Sequence, residues 1–453
     1  MKKIYKKYVV ALLSALCLAA CSGEFLEVKP QRQQVIVETL QDVEALLDNS
    51  NILNRTDYYR MISDGDFYYT DSKVTSISEV QRNLYLWAVD IDPAGLHLTP
   101  WDLPYQQIMY ANIALETLRE MTDDGDEENV RNELYGRALF FRAWAHYQLL
   151  QDFAEGYDPA VDAQPGVPII MDSSFPKNIQ RGSLRNAYRA ITDDLTEARA
   201  YLPQQTSIKT RPSMQAVYAL LARIYLNLHD FENALLSAEK ALEINRSLLD
   251  FNAVSRNAVL PFSSFNFSTH PEIIFFTSSN IPLVATAGIQ GEEGLYSNYH
   301  NEDLRKYLFF NNDRLYTGTY SGASSYHFTG LATDELYLVK AECLVRLGRP
   351  EEGVGAAEEL LQHRFLDNAI AGNTADRDNP LRWVLEERRK ELVGRGTRWS
   401  DLKRLNRDVQ TRSDLIRTYQ GERYKLPANS SRYVFAIPAD EVELSGLAQN
   451  IRE

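Results

Sequence analysis

Cysteine is almost missing from this chain: 453 residues hold three, and two of them, Cys17 and Cys21, fall within the first twenty-one. Cys343 is left alone in the body, so no intramolecular disulfide staples it and stability has to come from a packed core. Long apolar runs are also missing. None after residue 20 approaches eighteen residues, so nothing in the body reads as a membrane span. Positive charge is in deficit, with 48 Lys and Arg against 62 Asp and Glu and a formal net charge of −14. The one basic cluster, near residues 388 to 407, is interleaved with acids and aromatics. A polyanion binder needs a basic surface, so nucleic acid is excluded as a partner.

The motifs of common chemistry are absent too. Seven histidines are scattered with no i, i+4 pair and no cysteine beside them, against a zinc site. There is no Gly-x-Ser-x-Gly elbow, no His-Glu-x-x-His and no phosphate-cradling loop; Gly394-Arg395-Gly396 lacks a third glycine and a preceding strand. The acidic run from Asp123 to Glu128 does not match a twelve-residue calcium loop and reads as a solvated turn at a helix start. Paired carboxylates for glycosidic cleavage stay open, because sequence gives no separations. The expectation is a protein without cofactor or metal, and not an enzyme.

What is present begins at the amino end. Lys2, Lys3, Lys6 and Lys7 precede an apolar run from Tyr8 to Ala20, which closes as Leu18-Ala19-Ala20-Cys21. This predicts a lipoprotein signal over 1–20, with Cys21 as the lipidated first residue of the mature chain. An ordinary secretory signal with an incidental Cys21 is the alternative. Cleavage removes four lysines and no acid, taking the charge from −14 to −18. Residues 21–35, polar and carrying Pro30, read as a tether to the membrane. Several acyl chains on one cysteine exceed the two signals that stable anchoring requires.

The body, 36–453, is predicted to be all-α. A first helix covers Leu40 to Leu47, others cover 105 to 121 and Glu128 to Phe153, and Asp57 to Pro104 reads as loop. From Met214, Tyr218, Leu221, Ala222 and Tyr225 share a helical face, and Ala234, Ala238 and Ala241 follow a turn at His229-Asp230. That is the tetratricopeptide helix-turn-helix pattern, in which small residues let two helices approach. Tyr337, Ala341, Leu344, Gly353, Ala357 and Leu361 repeat it 119 residues on. Between them, about 250–328 reads as an irregular insertion with a β-like run at Glu272 to Thr277. Asp367 to Asn379 reads as a surface loop, and Trp383 to Leu405 as helix.

The segment Glu386-Glu387-Arg388-Arg389-Lys390-Glu391-Leu392, continuing through Gly396-x-Arg398-Trp399-x-Asp401-Leu402-Lys403-Arg404, resembles the signature of the SusD/RagB family of surface nutrient-binding lipoproteins. Trp101, Tyr105, Ile108, Ala111 and Asn112 resemble that family's first helix, Arg137 to Tyr147 its second, and Phe435 to Glu441 its closing segment within 380–453. The resemblance implies about four tetratricopeptide-like pairs with loops and an insertion on one side. It also implies capture of an oligosaccharide or peptide nutrient at the outer membrane, with delivery to a TonB-dependent SusC-like barrel. A helical structural adaptor in an envelope complex is the alternative. Independently of the family, Arg388, Glu391, Arg398 and Asp401 read as an ion-pair lock holding this segment to the body. A guanidinium clamp for an anionic ligand would require Arg388 or Arg398 to face a cleft.

Sugar recognition pairs an aromatic platform with planar polar groups. Two loop-like stretches have that composition: Asp66, Tyr68, Tyr69 and Asp71 with Trp87 and Trp101, and Tyr296 and Tyr299 with Tyr320. The expectation is that they meet above the helical scaffold. The tyrosines, 26 in all, also suit half-buried helix interfaces, and the position of Trp101 just before a helix favours packing over ligand contact.

Overall fold

The computed structural model describes residues 37–453 apart from 94, 96–98, 122–124, 126, 162, 175–178, 282, 369 and 371–377. The expected signal (1–20), Cys21 and the tether (21–35) lie outside the described residues. So do Asp123, Asp124 and Asp126 of the acidic run and most of the expected loop after Asp367. The architecture is an all-α, tetratricopeptide-like scaffold. Among the described residues its helices of eight residues or more are α1 (Leu40–Leu47), α2 (Thr99–Glu120), α3 (Glu128–Phe153), α4 (Leu184–Ala198), α5 (Met214–Asn227), α6 (Phe231–Ile244), α7 (Thr333–Arg346), α8 (Pro350–Leu361), α9 (Pro380–Glu391) and α10 (Arg398–Leu405).

Local chemistry sets many of the boundaries. At the start of α1 the Thr39 hydroxyl accepts from the Asp42 N–H at 3.1 Å, and the Asp42 carboxylate accepts from the Thr39 N–H at 3.0 Å. This reciprocal cap satisfies two N–H groups that the helix itself cannot. Ser183 and Ser213 cap α4 and α5 in the simpler way. α2 and α3 pack as a hairpin, burying Ile108, Ala111, Leu115 and Leu118. From Gly136 to Phe153 α3 is buried on every side. Arg142, buried there, is paired with both carboxylate oxygens of Asp194 at 2.8 and 2.7 Å.

The two repeat units fold as expected. Ala234, Ala238 and Ala241 on α6 are fully buried against α5. On α8 a Cβ at Gly353 would stand 2.6 Å from the Val345 side chain and 2.7 Å from the Ala341 carbonyl, so only glycine permits this approach to α7. α6 packs on α7, which joins the units across the insertion.

Three expectations are corrected. Trp383 to Leu405 is two helices rather than one, because Gly394 and Gly396 adopt φ of +70° and +73°, a conformation that ends a right-handed helix. The supposed loop from Asp57 to Pro104 contains short helices at Tyr59–Ser63, Asp71–Ser76 and Glu79–Tyr85, capped in two cases by Thr70 and Ser78, and the start of α2. The structure also adds α4 and a C-terminal hairpin to the elements expected from the sequence.

Among the described residues, eight short strands pair two by two. β1 (Phe67–Tyr69) runs antiparallel to β4 (Ile289–Gly291), β2 (Ile273–Phe275) to β6 (Leu331–Ala332), β3 (Ser278–Ser279) to β5 (His327–Phe328), and β7 (Leu415–Tyr419) to β8 (Glu422–Leu426). β2 to β5 lie in the irregular insertion. Among the described residues no helix is long and apolar enough to cross a membrane.

Turning the chain between α9 and α10 creates a buried ionic network. Arg388 Nε donates to Asp401 at 2.9 Å, Arg404 Nε to the other oxygen of Asp401 at 2.8 Å, and Arg404 Nη1 to Glu342 on α7 at 2.6 Å. Glu391 accepts from Arg364 at 2.8 Å and from Arg305, in the insertion, at 3.1 Å. Arg388, Glu391 and Asp401 thus form the expected lock. Arg398 does not join it.

Candidate functional site

Strand β1 alternates buried, exposed, buried, so Phe67 and Tyr69 point inward and Tyr68 outward. Tyr68 stands opposite Gln290 of β4, and β4 leads directly into the short helix Glu293–Ser297. The two stretches that sequence singled out, more than two hundred residues apart, therefore meet through this strand pair. Beside it lies a cleft of about 590 Å³ lined by Tyr68, Trp87, Glu292, Glu293, Arg314 and, on the far wall, Leu415, Ile416 and Arg417 of β7. Arg389 of α9 also lines it, and also lines a larger cleft of about 900 Å³ between α9, α10 and Leu295.

The individual residues divide sharply by burial. Tyr68, 38% exposed, offers a free ring face in the first cleft. Asp71 is exposed and accepts from the Gln420 N–H of the β7–β8 turn at 3.1 Å. Tyr296 is half-buried, packs edge-on to Phe310 and carries the Lys306 ammonium 5.5 Å from its ring centre. The others are interior. Tyr69 stacks on Tyr85 at 4.6 Å, and Trp87 donates its indole N–H to the Ser63 carbonyl at 2.8 Å. Arg417 spreads its guanidinium 3.9 Å from Tyr85 and 4.4 Å from Trp87, fixing both rings as the base of the cleft. Tyr299 donates to the Lys390 carbonyl at 2.7 Å. Tyr320, 1% exposed, lies within hydrogen-bond distance of Glu272 and Asp334 at 3.1 Å each. Trp101 packs edge-on against Phe153 at 4.9 Å and borders a separate, more apolar cleft of about 450 Å³ with Tyr105, Met109 and Tyr110. Rings whose faces and tips are spent in this way have no surface to offer a sugar; of the nine, the structure leaves Tyr68, Tyr296 and Asp71 accessible, with Trp87 as a wall.

Asp66 is interior too, 1% exposed. Arg389 Nε donates to its Oδ1 at 3.0 Å, so its carboxylate positions the arginine and is not free for hydroxyls. Its neighbour Asp64 is buried, and burial together with the Asp66 charge pushes the Asp64 carboxyl well above the usual range. Arg417 is held below the ordinary arginine value by burial, and its Nη2 donates to the Ile62 carbonyl at 2.9 Å. Sequence reasoning missed the β7–β8 wall and Arg389. A signal existed for the hairpin: Gln420-Gly421, with φ of +50° and +82°, is a two-residue turn between alternating strands.

Comparison with known proteins assigns the family. A family model described as "Starch-binding associating with outer membrane" matches residues 24–226, and one described as "SusD family" matches residues 292–450. The chain belongs to the SusD family. It is similar to SusD-like protein P2 of Formosa agariphila, 27% identical over 244 residues, 52% of this chain and 45% of that one. SusD-like protein P38 of the same organism is 35% identical over 82 residues, 17% of this chain and 16% of the relative. The matches thus span less than half the length of either curated relative. Among solved structures, a putative sugar binding protein from Bacteroides vulgatus superposes with a TM-score of 0.74 at 21% identity, covering 92% of this chain and 99% of the other. A SusD superfamily protein from Bacteroides thetaiotaomicron gives 0.74 at 20% identity, with 91% and 100% covered.

Proposed function

We propose that this protein captures an oligosaccharide nutrient at the outer membrane, without catalysis, in the cleft between β1, β4 and β7, and delivers it to a TonB-dependent SusC-like barrel. The observation that carries the reading is Tyr68: an outward aromatic ring on a strand paired along its length with β4, over a rim of Glu292, Glu293 and Arg314. A flat apolar face beside planar hydrogen-bonding groups matches the two-sided chemistry of a sugar ring. The family description, starch-binding and associated with the outer membrane, supports the same ligand class and place. Lipidation at Cys21 after removal of 1–20, with 21–35 as tether, would hold the body 36–453 at the membrane. A peptide ligand uses the same groups and is the competing cargo.

The test is a thermal-shift screen against plant and host oligosaccharides and a mixed peptide library. A ligand at a hundredfold excess over Kd stabilises by about 2.7 kcal/mol. A dose-dependent rise with one saccharide class, lost in Tyr68→Ala, is the expected result. A rise with peptides alone would change the cargo, and none with either would favour the structural adaptor. Delivery is checked separately: pull-down of the lipidated protein from outer membranes should bring a large β-barrel with it, and its absence would remove the transporter from the proposal.

A further inference from the structure

Arg398 is a cation that the ionic network leaves over. It begins α10 between Arg395, paired with Asp334 at 3.0 Å, and Asp401, paired with Arg388 and Arg404. Among the described residues Arg398 itself makes no comparable bond. Its Nε is buried without a hydrogen-bond partner, and the nearest carboxylate is Asp66 at 4.0 Å, already held by Arg389 at 3.0 Å. Two guanidinium groups therefore share one carboxylate. The other acid close by, Asp64, is displaced toward its neutral form by burial and by Asp66. Arg398 is lowered by burial and then by the charge of Arg389, the signature of a cation short of counter-charge.

This arginine lines the 900 Å³ cleft, and Arg389 lines both that cleft and the one holding Tyr68. Asn298, Gln410 and Thr411 add hydrogen-bonding groups to the wall, and Leu295 and Leu402 add apolar ones. Arg388, the other arginine considered for a clamp, lines a small cavity instead and is ion-paired with Asp401 at 2.9 Å and Glu335 at 3.4 Å.

We propose that the cleft at Arg398 binds a carboxylate carried by an acidic saccharide, so that the captured glycan contains uronic acid. The guanidinium fork matches a carboxylate in two parallel hydrogen bonds, and Arg389 is placed to hold the neighbouring ring across to Tyr68. This inference rests on saccharide capture and narrows its ligand.

The experiment is calorimetric titration of the full chain in detergent with matched probes: tetragalacturonate, its carboxyl-reduced neutral form and its methyl ester, alongside the neutral panel and free-acid and amidated peptides. The acid is expected to bind at least about tenfold more tightly than the reduced form and the ester, a preference that shrinks as salt is raised. Arg398→Gln should erase the preference and leave neutral-sugar affinity unchanged, while Arg398→Lys restores part of it. Asp66→Asn, which frees both arginines, should enlarge the preference. Should Arg398→Gln not fold, the acid, ester and reduced probes on the unaltered chain still decide. Equal binding of the three overturns the inference, as does binding of neutral saccharides alone, which leaves capture standing. Discrimination confined to free-acid peptides overturns the saccharide assignment, and no binding by any probe overturns both.

Discussion

Tyr68 and Trp101 are both aromatic residues in the same stretch of sequence, yet their surroundings demand opposite outcomes on mutation. Tyr68 contributes a ring face to open space on a strand whose backbone is held by β4. Truncation to alanine should weaken saccharide binding by about tenfold while the melting temperature hardly moves. Trp101 is buried against Phe153. Its truncation leaves a cavity and should cost about 3–5 kcal/mol of stability, read by urea denaturation, with ligand affinity retained in the fraction that folds. The reverse pattern would move the binding site to the cleft bordered by Tyr105 and Met109. Sequence composition could not separate these two rings, because exposure depends on which strand partner and which helix each meets.

At the scale of elements, the break at Gly394 and Gly396 is what makes the family segment a lock. It turns the chain so that Arg388 on α9 reaches Asp401 on α10, thirteen residues later, at 2.9 Å and Glu335 at 3.4 Å. Buried pairs of this kind gain little over an apolar packing but are costly to break singly, because the remaining charge is stranded. Arg388→Ala should therefore destabilise by about 3–5 kcal/mol, measured by chemical denaturation. An effect below about 1 kcal/mol would match an exposed pair instead. Charges alternating in sign along the segment are enough to announce such a lock; what they conceal is the odd member. Arg398 has the same spacing relations in sequence as its neighbours, and only the direction taken by α10 points it at a cleft.

For the whole molecule, the network predicts how folding depends on acid. Burial raises the Asp401 and Glu342 carboxyls, but arginines outweigh it: Arg388 and Arg404 hold Asp401 at about 2, and Arg404 and Arg346 hold Glu342 at about 2. Both lie below their ordinary values of 3.8 and 4.5. A carboxyl depressed on folding stabilises above its unfolded pKa, and that contribution is lost as pH falls through the folded value. The loss attributable to these two groups should run from about pH 4.5 to about pH 2. Replacing Glu342 with Gln should flatten that part of a stability-against-pH curve; an unchanged slope would show that other groups govern acid unfolding.

Helical class, the two repeat hairpins, the start of α1 and the ion-pair lock were legible in the chain itself. Each leaves a local mark in the sequence: a capping pair three residues apart, alanines at helical spacing, charges on successive turns. The cleft was legible only in outline. Tyr68 and the Tyr296 stretch could be named from composition, but the pairing of β1 with β4 and the wall of β7 arise from contacts hundreds of residues apart, and the burial of Tyr69, Tyr299 and Tyr320 from contacts well beyond one helical turn or strand step. Such contacts are selected by packing of the complete body, which no local pattern encodes. Tertiary structure alone therefore decided which aromatic rings remain free and which arginine of the family segment lines a cleft with its nearest carboxylate 4.0 Å away.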